Sequence, residues 1–164
     1  MTHNVRGITG IPTKIPYQGR LVVVGEAFIR PSDFEHLKDK LLDSTGKPYK
    51  NGRNLAAGSV RLLDARVCKE RRVTFMPFNV LEGFEEMGLK SDRLMQLWAY
   101  GFTVCPYFKT TAALNQRYID MGIERLQALA KKNDIPIDGI VVTYNDIAYS
   151  RSCGRTGHHY KDGM

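Results

Sequence analysis

Cysteine is scarce in this 164-residue sequence. Cys68, Cys105 and Cys153 are widely spaced and form no C-x-x-C pair. An odd number of isolated cysteines argues against a disulfide framework or a zinc ribbon and favours a reducing cytoplasm. The sequence lacks any apolar run approaching the roughly 20 residues of a membrane span, and Met1–Arg6 lacks the apolar core of a signal peptide. We therefore expect a cytoplasmic protein that does not enter a membrane.

The remaining composition is that of one ordinary globular domain, with 43% hydrophobic and 25% charged residues. The net charge of +7 is unevenly distributed. Residues 47–72 carry two acidic residues, Asp64 and Glu70, against eight basic ones. The basic residues are Lys47, Lys50, Arg53, Arg61, Arg66, Lys69, Arg71 and Arg72. Such a concentration attracts polyanions, although a merely solvated basic face would look the same.

The segment Lys47–Asp64 is the organising stretch of the sequence. Asn51-Gly52 predicts a turn, and a run of mostly small residues follows it. Small side chains allow close approach, either by a packed neighbour or by a ligand, and the sequence leaves both alternatives open. Arg53 and Arg61 bracket this run. On a helix, residues eight apart lie about 80° apart in rotation and about 12 Å apart in rise, so both guanidinium groups can border one phosphate-binding surface.

Three apolar segments predict strands, and three others predict helices. The strands are 21–29, 73–81 and 135–144, with Pro77 marking an edge or a bulge in the second. The first helix is predicted to open with a capping box at Ser32 and Glu35. A second begins at Ser91 or Asp92 and stops at Gly101. The third runs from about 112 to 133, with an apolar stripe directed at the core.

Glu26 lies inside the first predicted strand, directly after Gly25. A carboxylate in a buried strand is costly unless it is paired or binds a cation or ligand. Glu26 is therefore a candidate functional residue, and the alternative is an edge position that faces water.

Taken in order, three segments resemble the adenylation (nucleotidyltransferase) domain of bacterial NAD-dependent DNA ligases. They are Gly25-Glu26-Ala27-Phe28, the N-x-R-N-x-A-A-G-S-x-R motif from Asn51 to Arg61, and the stretch Ile137–Val142 with its Asp138-Gly139 pair. The similarity extends from Thr2–Arg6 to Gly154–Gly163.

The resemblance implies an α+β fold, with antiparallel sheets flanked by helices in an ATP-grasp-like nucleotidyltransferase core. It implies an enzyme that adenylates a lysine from NAD with the help of Mg²⁺ and then seals nicks in duplex DNA during replication and repair. Glu26 matches the family's adenylate-binding, catalytic glutamate. Arg53 and Arg61 match arginines that bind phosphates of the adenylate and of DNA, and Asp138 matches the family's catalytic Asp-Gly motif.

The sequence also departs from the family pattern. The family's nucleophilic lysine lies in a K-x-D-G motif upstream of a sequence like Thr2–Arg6, and Lys161-Asp162-Gly163 lacks the intervening residue. Thr143 stands where many relatives have a lysine. The resemblance therefore implies that residues 1–164 are the central part of an adenylation domain, truncated at both ends and inactive without the remainder of the ligase polypeptide.

Two other functions remain open on the sequence. The first is a non-catalytic, basic nucleic-acid-binding module. The second is a small metalloprotein that uses Cys153, His158 and His159, whose spacing matches structural zinc sites poorly, so no metal site is predicted.

Overall fold

The computed structural model describes residues 2–43, 45–62, 64–111, 115–156 and 159–163. Within these ranges the chain is α+β, as expected, with two antiparallel pairs of strands. The elements are a 3-10 helix (Thr2–Gly7), β1 (Val22–Phe28), α1 (Pro31–Leu37), α2 (Gly52–Arg61), α3 (Ala65–Glu70), β2 (Thr74–Glu82), α4 (Lys90–Ala99), α5 (Gln116–Lys132), α6 (Ile147–Ser152), β3 (Arg155–Thr156) and β4 (His159–Tyr160). Two strand pairs alone do not establish an ATP-grasp-like core.

The pairing of β1 with β2 confirms the first two predicted strands. The register shifts where Val24 faces Asn79 and the next residue, Gly25, faces Pro77. Phe78 is left over, which is the pattern of a β-bulge. Pro77 therefore lies beside a bulge, as predicted, in a position where its missing N–H is tolerated.

Two clusters of buried apolar side chains pack against this sheet. The first joins α2 and α3 to the strands and contains Ile29, Leu55, Ala56, Cys68 and Val73. The second lies between the end of β2 and α4 and contains Val80, Phe84, Leu94, Leu97 and Phe102. Fully burying a leucine contributes about 1.5–3 kcal/mol. Leu55 and Leu97, both completely buried, therefore anchor α2 and α4.

The third predicted strand, 135–144, is wrong. This stretch has no regular structure apart from an isolated antiparallel bridge between Thr143 and Gly163. Val141 is 75% exposed. A strand needs a neighbour that pairs with its backbone and covers its side chains. In the part of the chain that the structure describes, this apolar segment has no such neighbour.

The first predicted helix exists, but the capping box does not. Pro31 begins α1, with Arg30 as an N-cap that makes no side-chain bond. Ser32 instead donates from its hydroxyl and from its backbone N–H to the Asp134 carboxylate, 102 residues away, while Glu35 pairs with Lys38. Ser32 therefore bonds to the distant Asp134 instead of forming the predicted local capping box with Glu35.

The N-cap predicted for α4 is also wrong. Neither Ser91 nor Asp92 caps the helix, which begins at Lys90. Asn145 caps it from 54 residues away: its side-chain oxygen accepts from the Ser91 N–H at 2.8 Å, and its backbone carbonyl accepts from the Lys90 N–H at 2.9 Å. The predicted stop is confirmed, since Gly101 follows the helix with a φ of 93° that favours glycine.

The long third helix is confirmed as α5, and Asn115 caps it by accepting a hydrogen bond from the Tyr118 N–H. The first predicted residues, 112–114, lie outside the described residues. Of the apolar stripe expected in the core, Ala130 is buried. Met121 is exposed and the other described members are half-buried, because α5 lies at the surface. Among the described helices, none is both long and apolar enough to cross a membrane.

Candidate functional site

A shallow groove beside β1 and α2 collects most of the side chains that the sequence predicts to be functional. Its volume is about 440 Å³, within the size range of small-molecule sites. The groove is lined by Gly25, Glu26, Ala27, Arg53, Ala57, Val60, Arg61 and Phe78. We call it the arginine groove.

The folding of α2 places both arginines there. Asn51, predicted to form a turn with Gly52, is instead the N-cap: its side-chain oxygen accepts from the Asn54 N–H at 2.9 Å. Leu55, Ala56 and Ser59 face the core. Arg53 and Arg61 are exposed and line the groove together, as their spacing predicts. Their roles remain predictions.

The small residues of α2 serve mainly for packing. A Cβ on Gly58 would lie 3.0 Å from the Tyr49 hydroxyl oxygen, and Ala56 is completely buried. Ala57 is exposed and lines the groove. In β1, a Cβ on Gly25 would lie 2.5 Å from the Met76 carbonyl oxygen. The absence of a side chain at Gly25 therefore allows the paired strand β2 to approach closely.

Arg53 is the centre of an ionic triad with Glu26 and Asp138. Its Nη1 lies 2.7 Å from Asp138 Oδ2, and its Nε lies 3.6 Å from Glu26 Oε1. The structure thus brings together one residue from each of the three motifs: Glu26 from the first, Arg53 from the second and Asp138 from the third. Asp138 is 79% exposed and Glu26 is 52% exposed. Surface pairs of this kind contribute about 0–1 kcal/mol and exchange partners readily.

The premise that Glu26 lies in a buried strand is wrong. In the described structure the sheet around it has only two strands, so its side chain reaches water. The cost of burying a carboxylate therefore cannot argue for function here. What supports Glu26 is its position in the groove and its contact with Arg53. Burial raises the pKa of the nearby Cys105 thiol, and the Glu26 carboxylate raises it further.

Arg71 and Arg72 are not simply part of a solvated basic face, the alternative that the sequence left open for residues 47–72. Arg71 Nη1 donates to Ser59 Oγ at 3.2 Å, and its guanidinium lies 5.9 Å from the centre of the Tyr49 ring. Arg72 pairs with Asp33 at 2.6 Å. The sequence reading missed these contacts because Ser59, Tyr49 and Asp33 lie on other elements.

Phe78 is a groove residue that the sequence reading did not select. It is the extra residue of the bulge in β2, opposite β1, and a bulge redirects a side chain. The signal available in the sequence was Pro77, which predicted the irregularity without predicting what it exposes. An exposed aromatic ring beside two guanidinium groups offers a nucleotide base a stacking surface.

A second groove of about 360 Å³ lies between α4, α5 and the segment that joins them. Its lining is largely apolar: Leu94, Met95, Trp98, Val104, Cys105, Pro106, Tyr107 and Leu129. Trp98 is 68% exposed. This second groove is lined by none of the residues that the sequence predicts to be functional.

Lys161-Asp162-Gly163 has a structural role. Asp162 Oδ2 lies 2.5 Å from Lys90 Nζ, and the two side chains are 4% and 15% exposed. Burial alone would raise the pKa of Asp162, but hydrogen bonds from Lys90 and Ser150 outweigh it and lower the pKa below its ordinary value. This pair fixes the end of the chain to α4.

The described residues contain no group of three or more side chains suited to hold a metal. His158 and the side chain of His159, which belong to the alternative zinc site with Cys153, lie outside the described part of the chain. Thr143, at the usual lysine position of the family, is exposed and takes part in the bridge to Gly163.

Comparison with known proteins gives a consistent result. The family described as "NAD-dependent DNA ligase adenylation domain" matches residues 1–162. The DNA ligase of Ruminiclostridium cellulolyticum is 35% identical over all of this chain and 24% of its own length, and that of Lachnoclostridium phytofermentans is 36% identical over all of this chain and 25% of its length. The DNA ligase of Sulfurovum sp. is 31% identical over 95% of this chain. The chain spans about a quarter of the length of these relatives.

Proposed function

Because the chain belongs to the family of NAD-dependent DNA ligase adenylation domains, we propose that residues 1–164 form the central part of such a domain within a longer ligase polypeptide. That polypeptide uses NAD to seal nicks in duplex DNA, in the cytoplasm, during replication and repair. The supporting observation is the arginine groove, which combines Glu26 with two permanently charged fork donors.

In the proposed reaction, a lysine from the remainder of the polypeptide attacks the α-phosphorus of NAD. A P–N bond forms, the bond to nicotinamide mononucleotide breaks, and AMP stays on the lysine. The task of this chain is to hold the phosphate and stabilise charge, which supplies most of the catalysis in phosphoryl transfer. Arg61 and Arg53 donate to phosphate oxygens, and Glu26 accepts from the adenylate. Thr143 supplies no positive charge, so the arginines must provide it.

Mg²⁺ is compatible with these residues only when phosphate is present. Protein-bound Mg²⁺ typically keeps several waters and takes one or two carboxylates together with substrate phosphates. Glu26 and Asp138 are the carboxylates beside the groove, and Arg53 now neutralises both. A bound Mg²⁺ would supply further positive charge to the phosphates.

The alternative of a non-catalytic basic nucleic-acid-binding module is not favoured by the family match. The basic residues of 47–72 still suit DNA, because phosphate contacts do not depend on sequence.

A chimera provides the test. This chain replaces the matching quarter of the Ruminiclostridium cellulolyticum ligase, and AMP transfer from NAD to the enzyme is measured by mass. We expect an adduct with the chimera and none with the isolated 164-residue chain. Arg61→Lys should lower adenylation and sealing at least about tenfold, because lysine cannot make paired hydrogen bonds to phosphate.

Arg66→Lys is the matched control, since Arg66 lies in the same basic stretch but pairs with its neighbour Asp64. Arg71→Lys is unsuitable because Arg71 bonds to Ser59. Equal activity of the Arg61 and Arg66 variants would remove the arginine groove from the mechanism. An adduct on the isolated chain would show that it needs no outside lysine.

A further inference from the structure

The two arginines of the groove differ in their partners. Arg53 donates a hydrogen bond from Nη1 to Asp138, and its Nε lies close to the Glu26 carboxylate. Within the described ranges of the chain, the Arg61 guanidinium has no hydrogen-bonding or ionic partner. A guanidinium has only five N–H donors in a rigid fork, so the donors that Arg53 gives to carboxylates are not directed at a ligand.

We propose that Asp138 is a positioning residue that restrains Arg53, so that the free protein first accepts a phosphate through Arg61 alone. Arg53 joins as a second phosphate ligand when its contact with Asp138 breaks. The proposal rests on the proposed function of the groove, and it assigns the two arginines different steps in phosphate binding.

The geometry supports an exchangeable restraint. Arg53, Glu26 and Asp138 are all more than half exposed, so water competes for each contact and the pairs are weak. A phosphate carries more charge than one carboxylate and accepts the same paired hydrogen bonds. The 2.7 Å contact to Asp138 is a hydrogen bond, whereas the 3.6 Å contact to Glu26 is only a close ionic approach. Asp138 should therefore restrain Arg53 more strongly than Glu26 does.

A simpler effect must be separated from this one. Removing any carboxylate makes the protein more positive and raises its affinity for anions. Such a field effect does not depend on the identity of residue 53 and is screened over about 8–10 Å. The proposed restraint acts only through Arg53.

The test uses the 164-residue chain and inorganic pyrophosphate as the probe. The Nε–H signals of Arg53 and Arg61 are followed by ¹⁵N NMR during titration, and the amide spectrum verifies the fold of each variant. In the unsubstituted chain, pyrophosphate should shift the Arg61 signal while Arg53 stays unchanged at low occupancy. Asp138→Asn should make the Arg53 signal shift as well and tighten binding about threefold to tenfold, the gain expected from one added hydrogen bond of ordinary net strength at an exposed site.

Three variants control for charge. Glu82→Gln removes the same charge from a carboxylate that pairs with Arg20, and it should change affinity less than about twofold. The gain in pyrophosphate affinity caused by Glu26→Gln should be larger than that of Glu82→Gln and smaller than that of Asp138→Asn. In an Arg53→Gln background, Asp138→Asn should have no more effect than Glu82→Gln.

Two results would overturn the inference alone: an Arg53 signal that shifts together with Arg61 in the unsubstituted chain, or an Asp138→Asn gain that persists without Arg53. A chain in which pyrophosphate leaves Arg61 unmoved would overturn both the inference and the groove as a phosphate site.

Discussion

The arginine groove and the C-terminal segment, residues 135–163, are held in place by different forces. Beneath the groove, α2 rests on completely buried apolar side chains, while its charged groups stay exposed and weakly paired. The C-terminal segment exposes apolar residues such as Val141 and attaches to α4 through Asn145 and the Lys90–Asp162 pair. Packing thus fixes the frame of the groove and leaves its charges free to rearrange, whereas the C-terminal segment relies mainly on partly buried polar bonds, together with the buried side chain of Ile147.

Asp162→Ala should show the largest effect, because it removes the carboxylate that faces the largely buried ammonium of Lys90. We expect the free energy of unfolding to fall by about 3 kcal/mol in denaturant titrations. Glu82→Ala breaks the exposed pair with Arg20 and should cost less than about 1 kcal/mol. Similar losses in the two variants would mean that the Lys90–Asp162 pair is in effect solvated.

Gly25→Ala tests the packed region. Its Cβ would lie 2.5 Å from the Met76 carbonyl oxygen, so one strand must move. We expect a loss of about 2 kcal/mol with little dependence on salt. Gly88→Ala is the matched control, because no heavy atom lies within 4 Å of the added Cβ. If Gly25→Ala left the free energy of unfolding unchanged, β1 and β2 would be able to shift around the added methyl group, and packing would not fix the frame of the groove.

Asn145→Ala removes the remote cap of α4. We expect a loss of about 1 kcal/mol, typical of an N-cap, with faster hydrogen exchange at the Ser91 amide. Asn115→Ala, which removes the local cap of α5, should accelerate exchange only at the start of α5. If both substitutions affect only their own neighbourhood in the chain, Asn145 does not connect the C-terminal segment to α4.

Acidification is the mildest perturbation, since a protonated Asp162 can still hydrogen-bond. Its pKa is lowered in the folded chain, so its stabilising contribution is complete above the ordinary carboxyl range near pH 4. That contribution is lost as the pH falls from this range through the lowered pKa. The protection factor of the Ser91 amide, which corrects for the slower intrinsic exchange at low pH, should therefore fall in this window. Asp162→Asn should flatten the dependence of this protection factor on pH. An unchanged profile in that variant would assign the titration to another group.

The sequence predicted what depends on local spacing. The period of α2 brought Arg53 and Arg61 to one surface, and the apolar runs located β1 and β2. It failed wherever a partner lies far along the chain. Ser32 bonds to Asp134 and Ser91 to Asn145, while the third predicted strand found no described neighbour.

Glu26 is the instructive intermediate case. Its selection was useful, but the burial argument for it was wrong, because burial depends on how many strands surround β1. The sequence of residues 21–29 alone does not indicate how many strands surround β1.

The remote cap of α4 also has a consequence for the order of folding. Ser91 gains its acceptor only after a loop of 54 residues has closed. Closing such a loop costs entropy that grows with the logarithm of its length and must be met before the new contact contributes. A synthesised or refolding chain should therefore form the body of α4, whose hydrogen bonds are local, before the first turn of α4 becomes protected. In a quenched-flow pulse-labelling experiment, the Ser91 amide should become protected late in folding, together with amides of residues beyond 144.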